Sequence, residues 1–118
     1  MSPEPQHTKS EILQGTLDLM VLQTLAAMGP MHGYGLARRI EQLSDEALQI
    51  SQGTIYLCLV RLVQKGWIKA AWGTSENNRK AKFYSISKAG SKQLVTETQN
   101  WERVSGIIGK LLQLGARG

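Results

Sequence analysis

The sequence predicts a mainly α chain with one small β-hairpin, in the order of a winged helix-turn-helix followed by a single long helix. Three observations predict it. The stretch from Leu48 to Trp67 (LQISQGTIYLCLVRLVQKGW) carries apolar residues at helical spacing between a capping serine and a glycine stop. A run of strand, basic loop and strand follows it directly (WIKAAW, GTSENNRKA, KFYSI). Beyond that, Trp101, Val104, Ile108 and Leu111 step by three, four and three, as an a/d seam does.

Composition narrows the function classes. The 118 residues suffice for one domain with a modest core. No apolar run reaches membrane length and none follows an N-terminal basic cluster, which predicts a soluble, cytoplasmic protein with no membrane partner. The one cysteine, Cys58, excludes an internal disulfide and fits a small core residue better than a catalytic or metal-binding one. With two histidines beside it, a zinc site would have to draw on scattered carboxylates, so no metal and no cofactor is expected. Paired carboxylates, a Ser/His/Asp or Cys/His set and a phosphate-binding glycine loop are all missing, which speaks against an enzyme.

The net charge of +5 is unevenly spread. Between Gln52 and Lys92 stand eight cations (Arg61, Lys65, Lys69, Arg79, Lys80, Lys82, Lys88, Lys92) against one acid, Glu76, a balance of +7 against −2 for the rest. A phosphate-contacting surface has this form. On charge alone, RNA, an anionic membrane or a plain solvated face would fit too.

In chain order, residues 1–11 read as a flexible tail, with two prolines and little apolar content. From Ile12 to Met28 the chain is helical and very apolar. Leu17, Val21 and Met28 make one stripe; Leu19, Leu22 and Ala26 make a second. A surface helix needs one stripe, so the second suggests a partner subunit. Gly29-Pro30 ends that helix. A shorter helix is expected over Gly33 to Leu43, with Leu36, Ile40 and Leu43 inside and His32 as a capping or core-edge residue. A turn through Ser44 to Ala47 and an extended run, Leu48 to Ile50, lead into the central helix.

Ser51 is the expected N-cap of that helix, and Lys65 with Gly66 its end. Ile55, Leu59 and Leu62 share the buried face. The opposite face holds Thr54, Leu57, Val60, Arg61 and Gln64, with Lys65 beside it and no acid. Such a face suits a major groove, where Arg and Gln read base edges and an apolar group meets a thymine methyl.

The hairpin is expected from strands Trp67 to Trp72 and Lys82 to Ile86, with Trp67 and either Ala70 or Trp72 against the core. Directly after a reading helix, a basic hairpin is a wing. Ser87 is placed to cap the last helix, Lys88 to Leu114. Its seam of Leu94, Trp101, Val104, Ile108 and Leu111 predicts packing on a second copy. Gly106 and Gly109 mark either close backbone approach at that seam or a fraying end.

Four segments resemble the PadR family of bacterial transcriptional regulators in its short form: GTLDLMVLQTL, GPMHGYGLARRI, QGTIYLCLVRLVQKGWI and ENNRKAKFYSISKAG. The resemblance runs from about Ile12 to Leu112. It implies a winged helix-turn-helix DNA-binding domain (12–86), a C-terminal dimerisation helix (87–118), a homodimer, and binding of an operator, usually as a repressor relieved by a small molecule. By the same resemblance Gln52, Thr54, Tyr56, Arg61 and Lys65 lie on the reading helix and its entry, Gln64 being added from the helical face. Arg79, Lys80 and Lys82 lie on the wing. Tyr56 is open to two roles, phosphate contact or core aromatic. Trp101, with Val104 and Ile108, is either seam packing or the lining of an inter-subunit cavity for a planar aromatic compound. Two positions depart from the family pattern: Leu57 stands where a proline is usual, and Gly35 where an acid is common.

Two functions follow as expectations. One is a dimeric, sequence-specific DNA-binding regulator on a pseudo-palindromic double-stranded operator. The other is a winged-helix interaction module that offers its basic face to an acidic protein.

Overall fold

A computed structural model describes residues 5–117, with side chains from 16 to 115. The elements run α1 (Pro5–Met28), β1 (Met31–His32), α2 (Gly33–Leu43), α3 (Gln52–Gln64), β2 (Ile68–Thr74), β3 (Lys80–Ile86) and α4 (Lys88–Arg117). This is the expected mainly helical winged helix-turn-helix with a long last helix. Helix α1 begins seven residues before the expected start, at a proline, whose missing N–H costs nothing in a first turn. The remainder of the expected tail, residues 1–4, lies outside the described residues.

Each helix end has a local cause. Gly29 closes α1 at φ +86°, donating its N–H to Leu25 O at 3.0 Å. His32 is the N-cap of α2, its Nδ1 accepting from Gly35 N at 3.0 Å. This cap accounts for the departure at Gly35: a Cβ there would come within 2.8 Å of the His32 ring. Helix α2 ends in a Schellman turn, Asp45 N to Gln42 O and Glu46 N to Glu41 O. Asp45 and Glu46 both take left-handed φ, 56° and 63°. A two-pronged bond from Arg38 to Glu46 (3.0 and 3.1 Å) holds that turn. Glu41 accepts from Ile50 N at 2.7 Å, and this bond, then Arg38, holds its carboxyl below the ordinary glutamate value. The entry to α3 is thereby pinned to α2.

The core lies between α1, α2, α3 and the root of the sheet. Val21, Leu22, Leu25, Leu36, Ile55, Leu59, Leu62 and Ile68 are fully enclosed. Burial of each such side chain stabilises by about 1.5–3 kcal/mol. The two expected stripes on α1 are redistributed. Leu22 joins Leu17, Val21 and Leu25 in the core, whereas Met28 and Ala26 are exposed and Leu19 is half-buried. The chain buries more of α1 than one stripe because α2, α3 and α4 all pack on it.

The sheet has three strands, not two, in the order β1-β3-β2, all antiparallel. Met31 pairs with Tyr84 and His32 with Phe83. The hairpin strands reach further than expected, to Thr74 opposite Lys80. Ile68, not Ala70 or Trp72, enters the core from β2. The twisted ribbon carries its outer half away from the helices, so Trp72 is exposed. Trp67 packs against the core, as expected.

Ser87 caps α4, accepting from Gly90 N at 3.0 Å while its hydroxyl donates to Gly66 O at 2.7 Å. The α4 start is thus tied to the α3 end. A Cβ at Gly90 would collide with the Trp67 carbonyl oxygen. At about 1.5 Å per residue, the 30 residues of α4 span most of the 59 Å long axis. No helix among the described residues is long and apolar enough to cross a membrane.

Candidate nucleic-acid interface

Helix α3 is fixed at both ends. Ser51 Oγ accepts from Thr54 N at 3.1 Å, and Gly66 (φ +78°) completes a Schellman motif, with Trp67 N donating to Leu62 O and Gly66 N to Val63 O. Its inner residues Ile55, Cys58, Leu59 and Leu62 are buried. Its outer residues Thr54, Tyr56, Leu57 and Gln64 are exposed, Leu57 by 63% and Tyr56 by 59%. Of the two roles open to Tyr56, core aromatic is therefore the one its position disfavours.

The wing stands beside this face. Gln52, Tyr56 and Lys82, all sequence candidates, line one cleft of about 250 Å³ with Tyr34, Tyr84 and His32. Burial, and then Tyr56, push the Tyr84 hydroxyl above the ordinary tyrosine value. Asn78 turns the hairpin at φ +61°, and Ser75 and Arg79 pair across it at 2.8 Å. Arg79, Lys80 and Lys82 are exposed and pair with no acid among the described residues. Lys65 and Lys82 each lie over an indole, Trp67 at 4.8 Å and Trp72 at 5.8 Å from the ring centre. The ammonium groups themselves face the rings, so each lysine is held along the surface of its indole while staying exposed.

Arg61 is the exception among the candidates. Expected on the free outer face, it turns back to α1. Its Nη2 and Nε donate to the two carboxylate oxygens of Asp18, at 2.5 and 3.4 Å. Cys58 Sγ donates to the same carboxylate at 3.2 Å. The ion pair is mostly enclosed, with 29% of the Arg61 and 17% of the Asp18 side chain exposed. Burial, and then Asp18, push the Cys58 thiol up to about 12, so it is a protonated core group. Sequence reasoning passed over Asp18, although it is the only charged residue between Ile12 and Met28.

On α4, Leu94 packs against the chain's own core. Further along, Val104 is half-buried, while Trp101, Ile108 and Leu111 are exposed by 51%, 49% and 60%, joined by Ile107 and Leu112. The outer half of the seam is an uncovered apolar face.

A family model described as the transcriptional regulator PadR-like family matches residues 21–96. A transcriptional regulator from Clostridium thermocellum is similar in structure at a TM-score of 0.76 and 28% identity, over 85% of this chain and 93% of that one. A PadR-like transcriptional regulator from Bacillus cereus reaches 0.74 at 28% identity, over 87% and 97%. Bacillus subtilis PadR in complex with operator DNA shares the fold at a TM-score of 0.60 and 20% identity, over 70% of this chain and 46% of that one.

Proposed function

We propose, on the premise that this chain belongs to the transcriptional regulator PadR-like family, that it binds operator DNA as a homodimer and represses until a small molecule releases it. Membership makes it a regulator of transcription and not an enzyme. The observation that carries the DNA reading is the shared cleft: Gln52 and Tyr56, exposed in the first turns of the capped α3, line it together with Lys82 of the wing. The operator complex of the Bacillus subtilis relative supports it.

In this reading residues 12–86 bind DNA and residues 87–118 join the subunits. Helix α3 enters a major groove. Gln52, Thr54, Tyr56 and Lys65 meet the backbone at its two ends, and Gln64 and Leu57 reach base edges and a thymine methyl. Arg79, Lys80 and Lys82 follow the phosphates or the neighbouring minor groove. Two copies joined through α4 present their α3 helices to half-sites about one helical turn apart on a pseudo-palindromic site. Leucine at position 57 keeps a backbone N–H that proline would lack.

The apolar face of α4 supplies the dimer contact. A Trp101 pair across the two-fold axis, flanked by Val104 and Ile108, would sandwich a planar aromatic compound. Such a ligand changes the α3 separation and hence the affinity, to the extent that it binds one arrangement better.

The test is binding to duplex DNA from upstream of the protein's own gene, beside a scrambled duplex, across salt concentrations. Tighter binding to the first, with log affinity falling steeply with log salt, is expected. Planar aromatic compounds should then release it. Equal, weak binding to both duplexes across a set of genomic fragments would overturn the reading in favour of an acidic protein partner for the basic face.

A further inference from the structure

We infer that Asp18 is a specificity-determining positioning residue, whose carboxylate holds Arg61 away from the duplex and fixes the roll of α3 against α1. The inference rests on the DNA-binding reading and adds to it a residue outside the reading helix and wing.

A lone carboxylate in the apolar run LDLMVL is costly to enclose unless it is paired and hydrogen-bonded. Among the described residues, Asp18 meets that condition through α3, by the fork of Arg61 and the thiol of Cys58. Two donors from one guanidinium set the plane as well as the distance. Cys58 and Arg61 are three residues apart on α3, so the three bonds hold one edge of the helix at adjacent turns. The fork opposes rotation of α3 about its own axis, which is the motion that would move Gln64 and Leu57 out of register with bases.

The pair also removes a charge from the reading surface. Helix α3 and its cap carry two cations, Arg61 and Lys65. With Arg61 neutralised, Lys65 alone remains there, and the wing supplies the other cations. A free arginine on a flexible stem grips any phosphate it can reach, whatever the sequence. On a non-cognate duplex, where the protein settles on the backbone, that grip adds affinity. On the cognate site the seat of α3 is set by bases, and a loosened helix loses part of that register. Holding Arg61 back therefore favours cognate over non-cognate DNA.

The experiment compares the full-length protein with Asp18→Asn, Arg61→Gln and the double variant, on cognate and scrambled duplexes over a salt series. Asp18→Asn should bind scrambled DNA several-fold more tightly, with a salt slope steeper by about 0.9 for the one phosphate gained, and should lose cognate preference. The double variant should return the scrambled-DNA affinity and slope to the wild-type values, which separates the release of Arg61 from the mere loss of a negative charge. Arg61→Gln alone, which tests the same point should Asp18→Asn not fold, should leave the wild-type slope unchanged. A merely structural ion pair would instead weaken both duplexes together at constant slope, and that result overturns the inference. So does a gain that persists in the double variant, or a slope that becomes shallower by about 0.9 in Arg61→Gln. If the wild-type protein has no cognate duplex and no salt slope, the DNA reading itself falls. If it has both and the variants match it, only the role of Asp18 falls.

Discussion

Helices α3 and α4 both carry an apolar face, and the chain covers only one of them. On α3 every inward residue from Ile55 to Leu62 is at most 2% exposed. On α4 the apolar side is partly buried at Leu94, which packs on the core, then opens through Trp101, Ile108 and Leu111 to about half exposure or more. The first face is completed by α1, α2 and the sheet of the same chain. The second is left uncovered by the single chain, and the proposed dimer would cover it. Stability drawn from α3 is therefore a property of one molecule, whereas stability drawn from the outer half of α4 should depend on protein concentration, as a subunit contact does.

This contrast can be broken or sharpened by substitution. Leu59→Ala, in the closed face, should cost about 2–5 kcal/mol by chemical denaturation, by the same amount at every protein concentration. Trp101→Ala, in the open face, should leave the α3 region intact but weaken self-association by at least about thirtyfold, the scale of a hot-spot residue of about 2 kcal/mol. Analytical ultracentrifugation reads it, and an unchanged oligomer would place the contact elsewhere on α4. At the joint between the two helices, Gly90→Ala would drive a methyl into the Trp67 carbonyl. We expect a loss of about 1–3 kcal/mol as that packing shifts, together with a changed direction of α4 visible in solution scattering.

Smaller effects probe the ends. Ser51→Ala removes the oxygen that accepts from Thr54 N and should cost about 1 kcal/mol, seen as a modest fall in melting temperature. Gly109→Ala meets nothing within 4 Å in the single chain. It should stabilise α4 by up to about 1 kcal/mol, the helix preference for Ala. If subunit backbones approach each other there, the same variant will be more helical and yet dimerise less well. A variant that gains in both would assign Gly109 to a frayed end and not to the seam.

Much of the fold was legible because it is local. The bounds of α2, the caps at Ser51 and Ser87 and the αL stop at Gly66 depend on side chains within a few residues of each other. The period of three and four separated inside from outside on α3 for the same reason. What escaped was set by distant partners. Strand β1 is two residues long, too short for any period, and exists because β3 offers it an edge. Trp72 alternates correctly for burial but lies where the hairpin has left the core. Gly35 reads as a weak helix residue until the His32 ring is seen to occupy the space of its side chain.

The amino-acid sequence by itself determined the order of the helices and the hairpin, the acid-free outer face of α3, the basic loop and the apolar repeat of α4. Each is a matter of spacing along one element, where 3.6-fold or twofold periodicity and a few capping residues suffice. Only the tertiary structure decided which charges on those faces are free. Arg61 and Lys65 stand four residues apart and look alike in the sequence, but one is taken by Asp18, 43 positions away, and the other rests on an indole with its charge exposed. Spacing along a helix gives direction around its axis. What waits in that direction is chosen by how the other elements pack.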